Sequence, residues 1–276
     1  MDAPLHHLSL SRQGGLLRVH FSGQASNQEP GGAFVEELHQ VLDGAEGDAD
    51  LFAIHFSGTA QHFCAAMESG FLADSRNAPG RSTPTVARYL AFLHRLVRSP
   101  KWILSMVEGR AHSCAIGLIA ASDFVLCGPS ASFNLSEMLQ GFLPASVVPF
   151  LMRRIGFHKT YLLAVTARTF LSAEALQLGL ADEVSENLEQ SLERILLRAA
   201  RVVPKARSLG KFSPPIRGHR PGSHPPGSFG RIHEILLDPQ NRENPGVEHP
   251  EGQEAARAFD SFPRVPANPS PNSSRP

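Results

Sequence analysis

Three short segments of this chain carry residue types that could do chemistry. In Phe133-Asn134-Leu135-Ser136-Glu137-Met138-Leu139-Gln140-Gly141 a lone carboxylate, Glu137, stands among apolar neighbours. Burying a carboxylate is costly unless it is partnered or functional, and burial raises its pKa toward the range of a general acid–base group. On the residues alone, a cap or an ion pair would account for Glu137 equally well. In Gly109-Arg110-Ala111-His112-Ser113-Cys114-Ala115-Ile116-Gly117 the chain passes from a strand to a small-residue helix. The unpaired N–H groups at its start suit an oxyanion, although small residues that let a helix lie close to a sheet explain the same pattern. Cys114 has no activating partner that the sequence can place, so it reads as a small buried residue rather than a nucleophile. His112 reads as a packed or solvent-bonded histidine rather than a base. His62-Phe63-Cys64-Ala65-Ala66-Met67-Glu68 follows an apolar strand, where backbone N–H groups of an open α/β sheet can face a ligand. A tight packing turn is the plainer reading of that segment.

The elements that must position these residues alternate along the chain. Residues 8–11 and 16–21, divided by Gly14-Gly15, predict a β-hairpin. Helical spacing of Phe34, Val35, Leu38, Val41 and Leu42 predicts a helix over 33–42, and that of Val86, Tyr89, Leu90, Leu93 and Leu96 one over 85–97. The apolar runs 51–56, 102–107 and 123–127 suit strands buried on both faces, and 131–134 is extended. Helices are expected over 115–121, 146–155, 159–166 and 187–203, with a further one opening at Ser172 as its N-cap. Strand–helix–strand repetition implies right-handed crossovers and an α/β fold with a largely parallel sheet.

Composition narrows the classes of partner. Lys+Arg and Asp+Glu balance at 26 each, so nothing calls for nucleic acid or an anionic membrane. The three cysteines, Cys64, Cys114 and Cys127, show neither metal-ligand spacing nor a disulfide framework. No basic-then-apolar leader opens the sequence and no run reaches a membrane span, which predicts a cytoplasmic protein. Beyond residue 203 the chain turns Pro-rich, with a helix-like island over 229–237, and ends in Pro, Asn and Ser, which predicts a disordered tail over 263–276.

Taken together, the three segments resemble the crotonase, or enoyl-CoA hydratase/isomerase, superfamily over roughly residues 8–203. The resemblance implies a ββα spiral core over 1–203, a Pro-rich segment with a helical trimerisation or cover region over 204–262, and a homotrimer. It also implies an acyl thioester substrate carried on phosphopantetheine, with no other cofactor and no metal. Carried over by position, the oxyanion donors are the amides of Met67 and Cys114, and Ala65, Ala66, Gly117 and Leu143 line the substrate. Hydratases of the family use two glutamates. The second matches Glu137, whereas the first falls on Gly117, and Ser113-Cys114-Ala115 replaces the usual glycines.

Residues 133–137, Phe142-Leu143-Pro144-Ala145 and 148–156 are similar to the dehydratases of polyketide β-branching cassettes. That closer likeness implies a hydro-lyase converting 3-hydroxy-3-methylglutaryl groups on an acyl carrier protein to 3-methylglutaconyl thioesters, with Glu137 as the acid–base residue. Such carriers are acidic, which makes Arg153, Arg154 and Lys159 candidate docking residues. The rival readings are another crotonase enzyme (a CoA hydratase/isomerase or a decarboxylase) and a non-catalytic crotonase-like scaffold.

Overall fold

The computed structural model describes residues 5–21, 31–64, 84–140, 144 and 146–201. Strands β1 (Leu8–Gln13) and β2 (Leu16–Phe21) form the expected antiparallel hairpin. They are followed by helix α1 (Gly31–Gly47), β3 (Ala53–Ser57), α2 (Pro84–Arg98), β4 (Trp102–Val107), β5 (Arg110–His112) and α3 (Cys114–Ala121). Next come β6 (Phe124–Cys127), β7 (Ser132–Asn134), a 3-10 turn (Glu137–Gln140), α4 (Val148–Ile155), α5 (Phe157–Thr166), β8 (Phe170–Leu171), α6 (Ser172–Leu178), β9 (Glu183–Val184) and α7 (Leu188–Ala200). No helix among the described residues is long and apolar enough to cross a membrane. The boundaries expected at 204–262 and 263–276 lie outside the described residues.

The main sheet runs β1-β2-β3-β4-β6-β9, parallel at every join except the hairpin. Its two faces are covered by different helices, which explains why its central strands are largely apolar. Ile54 and Phe56 pack with α1, α2 and α3, whereas Ala53, Leu104, Met106 and Leu126 pack under Leu188 and Leu192 of α7. On α2, the buried residues Tyr89, Phe92, Leu93, Leu96 and Val97 form one stripe at helical spacing. Full burial of each large apolar side chain in it is worth about 2 kcal/mol. Helix α3 is buried at all eight positions, so it runs through the interior rather than over it.

A second, smaller sheet, β5-β7-β8, grows from the carboxyl ends of the first. Strand β5 continues β4 past Gly109, and β7 continues β6 past Gly128. The residues after β3 join them through a parallel bridge between His62 and Arg110. Sequence reading placed 109–113 only between a strand and a small-residue helix; three residues of it are a strand, because three neighbouring segments leave the sheet together and satisfy one another's backbone groups.

One expected cap is corrected. Leu171, in an extended conformation, precedes α6, and the Ser172 hydroxyl instead donates to the Pro129 carbonyl at 2.8 Å. It fastens the helix to the turn before β7. Asn187 does cap α7, its side chain accepting from the Gln190 amide at 3.0 Å.

His55 is an expensive residue for this fold. It sits in the α7-covered layer of β3, 1% exposed, and neither ring nitrogen has a hydrogen-bond partner. Burial pushes its pKa down to about 4; neighbouring Arg18 and His20 push the same way, and Glu189 opposes them. The neutral ring is therefore the folded form. Stability is full above the unfolded pKa of about 6.5 and declines as pH falls from there toward 4, by on the order of 3 kcal/mol for this group. His55→Leu should flatten that decline between pH 7 and 4.5 in urea titrations. An unchanged slope would rule out His55 as its source.

Candidate active site

Glu137 opens the 3-10 turn just beyond β7, and the local chain explains its position. β7 pairs with β5 through Asn134 and His112. Asn134 then works in two directions: its carbonyl accepts from the Ser113 amide at 2.9 Å, and its side-chain NH2 donates to the Ala167 carbonyl at 2.9 Å and to the Thr169 hydroxyl at 3.1 Å. Phe133 stacks on Phe170, with ring centroids 5.3 Å apart. The chain thus leaves the small sheet along a fixed line, with Leu135 buried and Glu137 turned inward.

Both oxygens of Glu137 are inaccessible and, among the described residues, without a hydrogen-bond partner. Burial pushes its pKa up to about 7, while its own amide and the Ser113 side chain, from positions that do not meet hydrogen-bond geometry, hold it down slightly. A buried carboxyl left unpaired is costly, and such groups concentrate at functional sites.

Facing it is the start of α3. Among the described residues the Cys114 amide has no backbone acceptor, as expected of the first residue of a helix. The residue before it, Ser113, has φ 51° and ψ −120°, a backbone conformation that L-residues with a side chain rarely adopt. The Cys114 thiol is buried and its pKa is raised by that burial, then by the charges of Glu137 and Cys64; the Ser146 hydroxyl pulls the other way. A thiol held protonated in this way is a poor nucleophile, in line with the structural reading of this cysteine. The Tyr89 hydroxyl, fully buried, donates to the Cys114 carbonyl at 2.5 Å.

Gly117 lies one helical turn further on. A Cβ there would meet Leu93 Cδ1 at 3.0 Å, Val147 Cγ2 at 3.3 Å and the Tyr89 hydroxyl at 3.4 Å. The side chains of Leu93, Val147 and Tyr89 pack closely around this glycine. The structure thus gathers Glu137, Cys114 and Gly117 into one neighbourhood. Cys64, buried and close enough to Cys114 to act on its thiol, brings the chain up to the same helix end. Ala65, Ala66, Met67 and Leu143 lie outside the described residues.

The docking residues are corrected in part. Arg154 donates to the Leu180 carbonyl and the Ser122 carbonyl, each at 2.8 Å, and to Asp182 at 2.5 Å, leaving its side chain only 10% exposed. It locks α4 to the edge of the sheet and is not free to meet a partner. Arg153 is half-buried, and Lys159 is exposed, its ammonium donating to the Leu178 carbonyl at 3.0 Å. Sequence reasoning missed Tyr89, Ser113 and Ser146 as neighbours of the site. Only Ser113 gave a signal, by standing where a glycine was expected.

A buried carboxyl and the start of a helix are thus set together past the carboxyl ends of parallel strands, the place where open α/β sheets bind ligands. The enoyl-CoA hydratase/isomerase family profile matches residues 24–212, and the chain belongs to that family. It is similar to the bacillaene synthase dehydratase of Bacillus subtilis (24% identity over 230 residues, 83% of this chain and 88% of the relative). It is also similar to the peroxisomal Delta(3,5)-Delta(2,4)-dienoyl-CoA isomerase of Arabidopsis thaliana (26% identity, 55% of this chain and 58% of the relative). A Bacillus subtilis protein assigned to polyketide biosynthesis as an enoyl-CoA hydratase shares the fold, with a TM-score of 0.68 at 20% identity, covering 94% of this chain and 100% of the other.

The raised pKa of Glu137 has a thermodynamic sign. A carboxyl protonated more readily folded than unfolded costs nothing below about pH 4.5; the cost grows as pH rises to about 7 and is constant above. Glu137→Gln should therefore stabilise the protein at pH 8 by on the order of 3 kcal/mol, and hardly at pH 4.5. Equal effects at both pH values would show that Glu137 titrates normally.

Proposed function

We propose that this chain is a dehydratase acting on 3-hydroxy-3-methylglutaryl thioesters carried by an acyl carrier protein, with Glu137 as its acid–base residue. The observation that carries this reading is the buried carboxyl of Glu137, unpaired among the described residues and with its pKa near 7, beside the start of α3. The similarity to the bacillaene synthase dehydratase, over most of both chains, supports the choice of reaction.

The C2–H bond breaks and its proton passes to the Glu137 carboxylate. The electron pair delocalises onto the thioester oxygen, where the Cys114 amide, and by family resemblance the Met67 amide, stabilise it. It returns to form the C2=C3 double bond as the C3–O bond breaks, and Glu137 gives its proton to the departing hydroxyl as water. One carboxyl then serves both proton transfers on one face of the substrate, which a pKa near the working pH favours. A glycine at position 117 fits this economy, since it supplies no second carboxylate there. Losing one oxyanion donor costs about 3–4 kcal/mol in comparable sites, so the helix end is as important as the carboxyl.

A second reading uses the same single carboxyl to carry a proton from one substrate carbon to another, as an isomerase would. The similarity to the dienoyl-CoA isomerase favours keeping it. Intact-mass analysis of 3-hydroxy-3-methylglutaryl carrier protein separates the two. Loss of one water with wild type but not with Glu137→Gln is expected. Retained dehydration by Glu137→Gln would sink the assigned role, loss of carbon dioxide would make the enzyme a decarboxylase, and no mass change would remove the dehydratase reading.

A further inference from the structure

The peptide that carries the Cys114 amide is held in an unfavourable conformation from both sides. On one side the Ser113 amide is tied to the Asn134 carbonyl at 2.9 Å. On the other, the Cys114 carbonyl receives the Tyr89 hydroxyl at 2.5 Å. Between them Ser113 keeps φ 51° and ψ −120°, a geometry that persists only when its surroundings over-determine it. The phenol is 0% exposed and lies beside Gly117, where a Cβ would stand in ordinary contact with the hydroxyl at 3.4 Å and more tightly against the Leu93 side chain at 3.0 Å.

We propose that Tyr89 is a positioning residue for the oxyanion-binding amide of Cys114, its hydroxyl clamping the first carbonyl of α3. This rests on the reading of that amide as an oxyanion donor. Without the clamp, Ser113 relaxes toward an ordinary backbone conformation and the Cys114 N–H turns away from the substrate oxygen.

The test compares wild type and Tyr89→Phe with two readouts. The first is the red shift in absorbance of 4-dimethylaminocinnamoyl pantetheine on binding, which reports polarisation of a thioester carbonyl whatever reaction the enzyme performs. The second is turnover of the carrier-bound substrate. Thermal melting first establishes that the variant is folded at the assay temperature. Tyr89→Phe, which keeps the ring, should lose most of the red shift and lower kcat by about 10- to 100-fold with KM changed much less. A full red shift and normal kcat in folded Tyr89→Phe would overturn the clamp while leaving the oxyanion reading intact. Absence of a red shift in wild type would overturn the oxyanion reading, and the clamp with it. A red shift without turnover of the proposed substrate would remove only the dehydratase assignment, and the clamp would still be decided by the spectrum.

Discussion

The site depends on a close approach of backbones at Gly109. A Cβ on that residue would lie 2.3 Å from the Gln61 carbonyl carbon, a separation that no side chain tolerates. Because glycine stands there, the segment after β3 can lie against the one after β4, with the Arg110 amide donating to the Gln61 carbonyl at 2.9 Å and the Phe63 amide to the Arg110 carbonyl at 2.8 Å. That ladder gives β5 a neighbour on one side and β7 on the other. The beginning of α3 and the turn carrying Glu137 are consequences of it, each leaving the small sheet at a fixed point. Chemistry in this fold is placed by backbone pairing past the carboxyl ends of the main strands rather than by the main sheet itself.

The site concentrates energetic costs that the rest of the molecule offsets. Glu137 is buried without a partner among the described residues, and Ser113 occupies a backbone region suited to glycine. Each costs on the order of 1–3 kcal/mol. The surrounding layer is dense: α3 is buried along its whole length, and Phe56, Phe63, Tyr89, Phe92, Phe133 and Phe150 are all essentially inaccessible. A well-packed core of this kind can hold a strained amide and a desolvated carboxyl in register, since interiors at crystal-like density have little room to relax. Costs placed where they can act on a substrate are what a catalytic site requires.

Much of the fold was legible because its signals are local. The apolar run ending at Val107 and the stripe Tyr89–Leu93–Leu96 correspond to β4 and α2 with boundaries within a residue or two. The hairpin was fixed by Gly14-Gly15, and Glu137 stood out because a lone carboxylate among apolar residues has few explanations. What was not legible depends on contacts between distant segments. Strand β5 is three residues whose partners lie twenty or more positions away. Ser172 reads as a cap until the Pro129 carbonyl is seen beside it, and Arg154 reads as a docking candidate until Ser122, Leu180 and Asp182 surround it. Tyr89 was seen as one more apolar position on α2, because nothing in its own sequence says that its hydroxyl meets the first turn of another helix.

The central claim is that Glu137 moves a proton at C2 of an acyl thioester whose oxygen is held at the start of α3. The most direct measurement uses 3-methylglutaryl pantetheine, which has a C2 proton but no hydroxyl to lose, incubated with the enzyme in deuterium oxide. Wild-type protein should introduce deuterium at C2, seen as a mass increase and as loss of the C2 proton signal in NMR, and Glu137→Gln should not. Equal exchange with both proteins, or none with wild type, would contradict the account.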